Sequence, residues 1–106
     1  MDEITAEELR TLLDAGHPLH FIDVREPWEY EEFNLGAKNI PLHELAGMLP
    51  SMPFEKDKLI VVHCQRGQRG QQAVALLKQV GYVQVRNLRG GIEAWTSCYG
   101  RHTPAR

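Results

Sequence analysis

Leu59-Ile60-Val61-Val62-His63-Cys64-Gln65-Arg66-Gly67-Gln68-Arg69-Gly70 passes from an unbroken apolar run, through a short glycine-containing loop, into a helix-patterned segment over 71–80. An apolar run without alternation suits a central parallel strand covered on both faces. In the segment that follows, Ala73, Val74, Leu76, Leu77 and Val80 make a wide apolar stripe, and Gly81 is its stop. Cys64 therefore stands at the carboxyl end of a buried strand, where open parallel sheets bind their ligands. Loop amides and the positive end of a helix dipole converge there and favour a thiolate. Arg66 and Arg69 add positive charge close by. The stretch reads as a nucleophilic cysteine in an anion-binding cradle.

Working outward, the same alternation of strands and helices recurs. Thr5-Ala6-Glu7-Glu8 is a capping box, Leu9, Leu12 and Leu13 share one face of the helix it starts, and Gly16 ends that helix. Residues 19–24 read as a strand finishing in Asp23-Val24-Arg25. Pro27 opens a short helix with Trp28 and Phe33 as expected anchors, Glu29, Glu31 and Glu32 in solvent, and Gly36 as terminator. Residues 37–40 are extended, and 43–49 form one or two helical turns burying Leu45, Met48 and Leu49. Pro50 and Pro53 mark a surface connection. Residues 82–88 make a further strand with Val83 and Val85 on one side, Gly90-Gly91 turns, and 92–99 form a last helix anchored by Trp95. The expected architecture is an α/β domain with a mainly parallel sheet flanked by helices on both faces. Residues 1–99 are expected to form the one domain, with 100–106 a flexible tail.

Composition removes several classes of function. The chain has 106 residues, enough for one core but not two. Its acidic, helix-like start has neither secretory nor mitochondrial targeting character, and no apolar run approaches a membrane span, so the expected location is the cytoplasm. Two cysteines, Cys64 and Cys98, lack the spacing of a zinc site or a disulfide framework. Cys98, in the last helix, is expected to be a half-buried passive thiol. Thirteen of fourteen acids lie at or before Asp57, whereas eight of twelve basic residues follow it. Either the surface is unevenly charged, or the face bearing Cys64 is positive and attracts small anions. Nucleic-acid binding does not fit, because the basic residues are scattered and no matching motif accompanies them.

Four stretches together resemble the rhodanese family. They are Phe21-Ile22-Asp23-Val24-Arg25-Glu26 with Trp28-Glu29-Tyr30; Gly36-Ala37-Lys38-Asn39-Ile40-Pro41; Val62-His63-Cys64-Gln65-Arg66-Gly67-Gln68-Arg69; and Asn87-Leu88-Arg89-Gly90-Gly91-Ile92-Glu93-Ala94-Trp95. The resemblance implies a single-domain sulfurtransferase. Its loop cysteine takes a sulfane sulfur from a donor such as thiosulfate or a persulfide, holds it as a cysteine persulfide, and passes it to cyanide or a thiol. No metal or organic cofactor is implied, since the reaction needs only the sulfur.

Each residue of the site has a role under that reading. Cys64 is the nucleophile, and amides of Gln65, Arg66, Gly67, Gln68 and Arg69 are expected to meet the charge on the outer sulfur. Gly67 lets the backbone curl. Arg66 is placed to pair with a sulfonate, and Arg69 either orients the loop or helps bind the anion. Asp23 and Arg25 are expected to form a supporting ion pair. His63 should point away from Cys64 by strand alternation and be packed or hydrogen-bonded. Four residues separate Cys64 from Arg69, whereas phosphatases of related fold have five. The tighter ring suits a sulfur atom better than a tetrahedral oxyanion. The alternatives are an interaction or sensor module without turnover, and an oxyanion enzyme of phosphatase or arsenate-reductase type.

Overall fold

The computed structural model describes residues 2–101, apart from the side chain of Pro50; positions 102–106 of the expected tail lie outside the described residues. In chain order the elements are β1 (Glu3–Ile4), α1 (Ala6–Asp14), β2 (His20–Asp23), α2 (Pro27–Glu32), β3 (Lys38–Asn39) and α3 (Leu42–Met48). A turn of 3₁₀ helix (Leu49–Ser51) leads on to β4 (Leu59–His63), α4 (Gln68–Gln79), β5 (Gln84–Leu88) and α5 (Gly91–Tyr99). The five strands form one sheet in the order β1-β5-β4-β2-β3, and all four pairings are parallel. This is the expected α/β class, with β4 in the middle.

Side-chain alternation along the strands splits the core in two. Ile22, Ile60, Val62 and Val85 pack with α3 and α4 on one face. Phe21, Val61 and Leu88 pack with α1 and α5 on the other, around the fully buried Trp95. β4 is apolar from Leu59 to Val62 because it meets a helical layer on each side. The first helix carries the capping box its sequence predicts, with Glu8 N–H donating to Thr5 Oγ1 at 3.1 Å and Thr5 N–H to Glu8 Oε1 at 2.9 Å. Ahead of it, Glu3 and Ile4 pair with Asn87 and Leu88. This two-residue strand is too short to leave a periodic signal in the sequence.

Three expectations about packing are corrected. Trp28 is 64% exposed, and α2 has no buried residue; six residues are too few for a defined apolar face, and Leu35 and Ala37 anchor the segment instead. Met48 and Val83 are also exposed: Met48 lies on the outer side of α3, and Val83 precedes β5 rather than joining it. Among the described residues no helix is long and apolar enough to cross a membrane.

The topology fixes where a site can be. From β2 the chain moves to β3 on one side, and from β4 it moves to β5 on the other. The two strands that part company are neighbours, with Asp23 paired to His63 at their carboxyl ends. That is the crevice in which open parallel sheets bind ligands.

Candidate active site

Cys64 follows β4 at this crevice and is almost completely buried, at 1% exposure. Its Sγ accepts hydrogen bonds from the backbone N–H of Gly67 at 3.0 Å and of Gly70 at 3.3 Å. α4 begins at Gln68, three residues earlier than its apolar stripe predicts, because the turn is made by Gly67 at φ +115°. Only glycine adopts that backbone readily. The helix has no side-chain cap, and its first N–H groups close on the sulfur. Gly67 falls within the span expected to supply donors. Gly70 lies one residue past it, because the amides of a helical first turn converge on the atom ahead of the helix.

The loop is gripped from behind by α5. Ile92 N–H donates to Cys64 O at 2.9 Å and Glu93 N–H to Gln65 O at 3.2 Å. So close an approach requires glycine at position 91. A Cβ there would lie 2.5 Å from Gln65 C and O and 2.6 Å from Cys64 O, and its φ is +63°. The Gly90-Gly91 pair, read from sequence as a turn, is thus also the contact surface for the cysteine's own backbone.

Beneath the loop lies a buried polar assembly. Asp23 and Arg25 form the expected ion pair, with Arg25 Nη2 2.8 Å and Nε 3.1 Å from Asp23 Oδ2; their side chains are 0% and 4% exposed. Arg25 also donates to Phe33 O and, at 3.4 Å, to Gln65 Oε1, so it ties the β2 end to the cysteine loop. His63 points to the opposite face from Cys64, beside Phe21, as alternation requires. Its Nε2 is 3.5 Å from Asp23 Oδ2. Burial pushes the His63 imidazole below its ordinary range against the opposing pull of Asp23, so the ring is neutral near pH 7.

The arginines behave differently from one another. Arg69 makes a bidentate pair with Glu29 at 2.6 and 2.9 Å. Hydrogen bonds from Arg69 hold the Glu29 carboxyl below the usual carboxylate range despite partial burial, and the same pair raises Arg69. Glu29, expected in solvent, is therefore the partner of a loop residue and links α2 to α4. Arg66 is 73% exposed and donates to Glu93 Oε2 at 3.1 Å, where Gln65 Nε2 also donates. The Gln68 side chain is exposed. Beside the loop opens a cleft lined by Arg25, Glu29, Phe33, Gln65, Thr96 and Arg101.

Charge lopsidedness along the chain does not survive folding. Lys78 pairs with Asp2, Arg89 with Glu3, and Arg69 with Glu29, each joining the late basic half to the early acidic one. Of the two readings of that lopsidedness, these pairs favour an unevenly charged surface, and the donors that meet the sulfur are backbone amides. Cys98 is exposed rather than half-buried, because the inner stripe of α5 runs through Ile92 and Trp95. Partial desolvation and the nearby Glu7 carboxylate raise its thiol pKa, and both cysteines are free. No group of three or more His, Cys, Asp or Glu among the described residues is placed to hold a metal ion.

A family model described as the rhodanese-like domain matches residues 5–98. The chain is 37% identical over 93 residues to the probable adenylyltransferase/sulfurtransferase MoeZ of Mycobacterium tuberculosis; the match covers 87% of this chain but 24% of that protein. It spans, that is, about a quarter of the length of that relative. With the human thiosulfate:glutathione sulfurtransferase it shares 37% identity over 105 residues, covering 87% of this chain and 90% of that protein. Among solved structures, the human single-domain sulfurtransferase TSTD1 superimposes with a TM-score of 0.84 at 29% identity, covering 92% of this chain and 96% of that one.

Proposed function

The chain belongs to the rhodanese-like domain family, and on that premise we propose that it is a sulfurtransferase working through a persulfide on Cys64. The observation that carries the proposal is the pair of amides, Gly67 and Gly70, aimed at Cys64 Sγ from the start of α4. Donors fixed before reaction stabilise negative charge on sulfur without any reorganisation.

The cycle has two displacements. The Cys64 thiolate attacks the outer sulfur of thiosulfate; the new S–S bond forms as the old one breaks, and sulfite leaves with the electron pair. An acceptor thiolate, or cyanide, then attacks the outer sulfur of the Cys64 persulfide, and the Cys64 thiolate leaves. No external oxidant or reductant is consumed, because the electron pair that sulfite carries away is matched by the pair the acceptor gives to the transferred sulfur. The cycle as proposed calls on no side-chain base. Two half-reactions through one covalent intermediate predict ping-pong kinetics. We place the approach of donor and acceptor in the cleft beside Gln65, where Arg25 backs the loop. Arg66, exposed beside Glu93, is proposed to meet the sulfonate of an anionic donor. Arg69 orients the loop through Glu29, and Asp23 with Arg25 supports it. Residues 1–99 are proposed to act as one domain, and two free thiols fit the reducing cytoplasm.

Commitment of the arginines weighs against phosphate or arsenate chemistry. An oxyanion loop needs a guanidinium facing its centre, whereas both Nη atoms of Arg69 are held by Glu29.

The test is mass spectrometry of the intact protein after exposure to thiosulfate. Cys64 should gain one sulfur atom, cyanide should remove it, and Cys64→Ser should show no gain. Failure to load from thiosulfate or any persulfide, together with hydrolysis of an aryl phosphate, would replace sulfur transfer with oxyanion chemistry.

A further inference from the structure

We propose that Asn87, on β5, is the positioning residue of the sulfur cradle: it holds in place the backbone of both residues whose amides meet Cys64 Sγ. The inference rests on the sulfur-transfer reading above and adds to it a residue that lies far from Cys64 in sequence and does not touch the sulfur.

Asn87 is 1% exposed. Its Nδ2 donates to Gly67 O at 2.9 Å, and Gly67 N–H in turn donates to Sγ. Gly67 O also accepts from Gln71 N–H at 3.0 Å in the first turn of α4. A carbonyl only accepts, so the nitrogen of the Asn87 amide must face it, and the orientation of the side chain follows. The other end of the same amide lies against Gly70. A Cβ built on Gly70 would stand 2.0 Å from Asn87 Oδ1 and 2.8 Å from its Cγ. Gly70 can be only glycine while Asn87 occupies this place, and Gly70 N–H is the second donor to Sγ. One planar group therefore spans both donors, bonded to one and packed against the other.

A role in packing alone does not explain the amide. Asn87 Oδ1 is buried and has no hydrogen-bond partner among the described residues. Leaving it so costs stability that an apolar residue of the same size would spare. What the amide contributes in return is its donor to Gly67. The strand supplies rigidity, since Asn87 is paired to Val62 on β4 and Glu3 on β1. A cradle fixed from the sheet keeps its geometry while the sulfur comes and goes.

The test compares Asn87→Ala and Asn87→Asp with the parent in single-turnover loading of Cys64 from thiosulfate. Asp fills the same space but turns an oxygen toward Gly67 O. Both variants should load roughly tenfold more slowly, as expected for weakening preorganised donors without removing them. Donor KM should stay within about twofold, because Asn87 touches no substrate. Loading at the parent rate by Asn87→Asp would reduce the residue to a space-filler and overturn the proposal, as would parent-like loading by Asn87→Ala. If neither variant folds, the parent decides by NMR. The Asn87 side-chain amide signals should move together with those of Gly67 and Gly70 when Cys64 takes up sulfur, and unmoved Asn87 signals would overturn the proposal. Should the parent take up no sulfur at all, the sulfurtransferase reading fails separately. Alkylation of Cys64 by iodoacetamide then serves as readout: slower in both variants supports the role, and unchanged rates refute it.

Discussion

Helices α1 and α4 begin in opposite ways. Thr5 and Glu8 close the start of α1 on itself, each side chain answering the other's backbone N–H. α4 begins at a left-handed glycine with no side-chain cap, and the N–H groups of Gly67 and Gly70 go to Cys64 Sγ. α5 repeats the second pattern, starting at Gly90 and giving its N–H groups to the carbonyls of Cys64 and Gln65. The capping bonds of the first are made within its own first turn. The two uncapped helices are completed by one dipeptide, approached from either side. Donors that secure stability in α1 are left available in α4 for charge on sulfur.

Substitutions that force the two patterns apart rank by how rigid the obstructed atoms are. Gly91→Ala should be the most damaging, since its Cβ meets main-chain atoms of Cys64 and Gln65 and its φ is positive. A loss of about 3 kcal/mol is expected, with a fall in Tm on the order of 10–20 °C by calorimetry and no sulfur loading. Gly70→Ala meets a side chain instead, Asn87, which can turn away. It should cost about 2 kcal/mol in urea titration while slowing loading through the displaced amide.

Glu29→Gln tests the clamp between α2 and α4 and should cost roughly 1 kcal/mol at neutral pH. The folded Glu29 carboxyl titrates below its unfolded value of about 4.3. Its contribution is therefore present above that pH and lost as pH falls through the lower folded value. The stability gap between parent and Glu29→Gln should shrink as pH falls from neutral through the lowered Glu29 value and close below it. A gap that does not shrink would show that charge is not what the pair supplies. Smallest is Thr5→Ala, expected to cost about 0.5–1 kcal/mol with no change in sulfur loading. Any loss of activity in that variant would erase the contrast between a cap that stabilises and one that reacts.

Much of the fold was readable before the coordinates, because the strongest signals are local. The apolar run 59–62 with its glycine-bearing loop, the Thr5–Glu8 box and the Gly90-Gly91 turn each state their structure within a few residues. What escaped depends on partners distant in the chain. Glu29 looks solvated in a helix of three glutamates until Arg69, forty residues later, is brought beside it. Trp28 looks like an anchor because large apolar residues usually are, but α2 is too short to bury a face. The late basic residues leave open an uneven surface or an anion-attracting face until folding sets Asp2, Glu3 and Glu29 against Lys78, Arg89 and Arg69. In the sequence Asn87 is only the first position of the Asn87–Trp95 stretch. The Gly70 amide falls outside the expected donors because the helix starts at Gln68, and a single apolar stripe does not fix a helix's first turn.

The exposure of Trp28 has an optical consequence. The chain's two tryptophans occupy opposite environments, Trp28 on the outer side of α2 and Trp95 sealed in the core against Tyr99. Iodide should quench the first and spare the second, so one emission spectrum resolves into a surface channel and a core channel. α2 also carries Glu29, which holds Arg69 of the cysteine loop. A change confined to the surface channel on adding a sulfur donor would report movement of that helix, while the Trp95 channel certifies that the core stayed folded. The molecule thus contains its own paired fluorophores, one reading the loop's tether and the other serving as the internal standard.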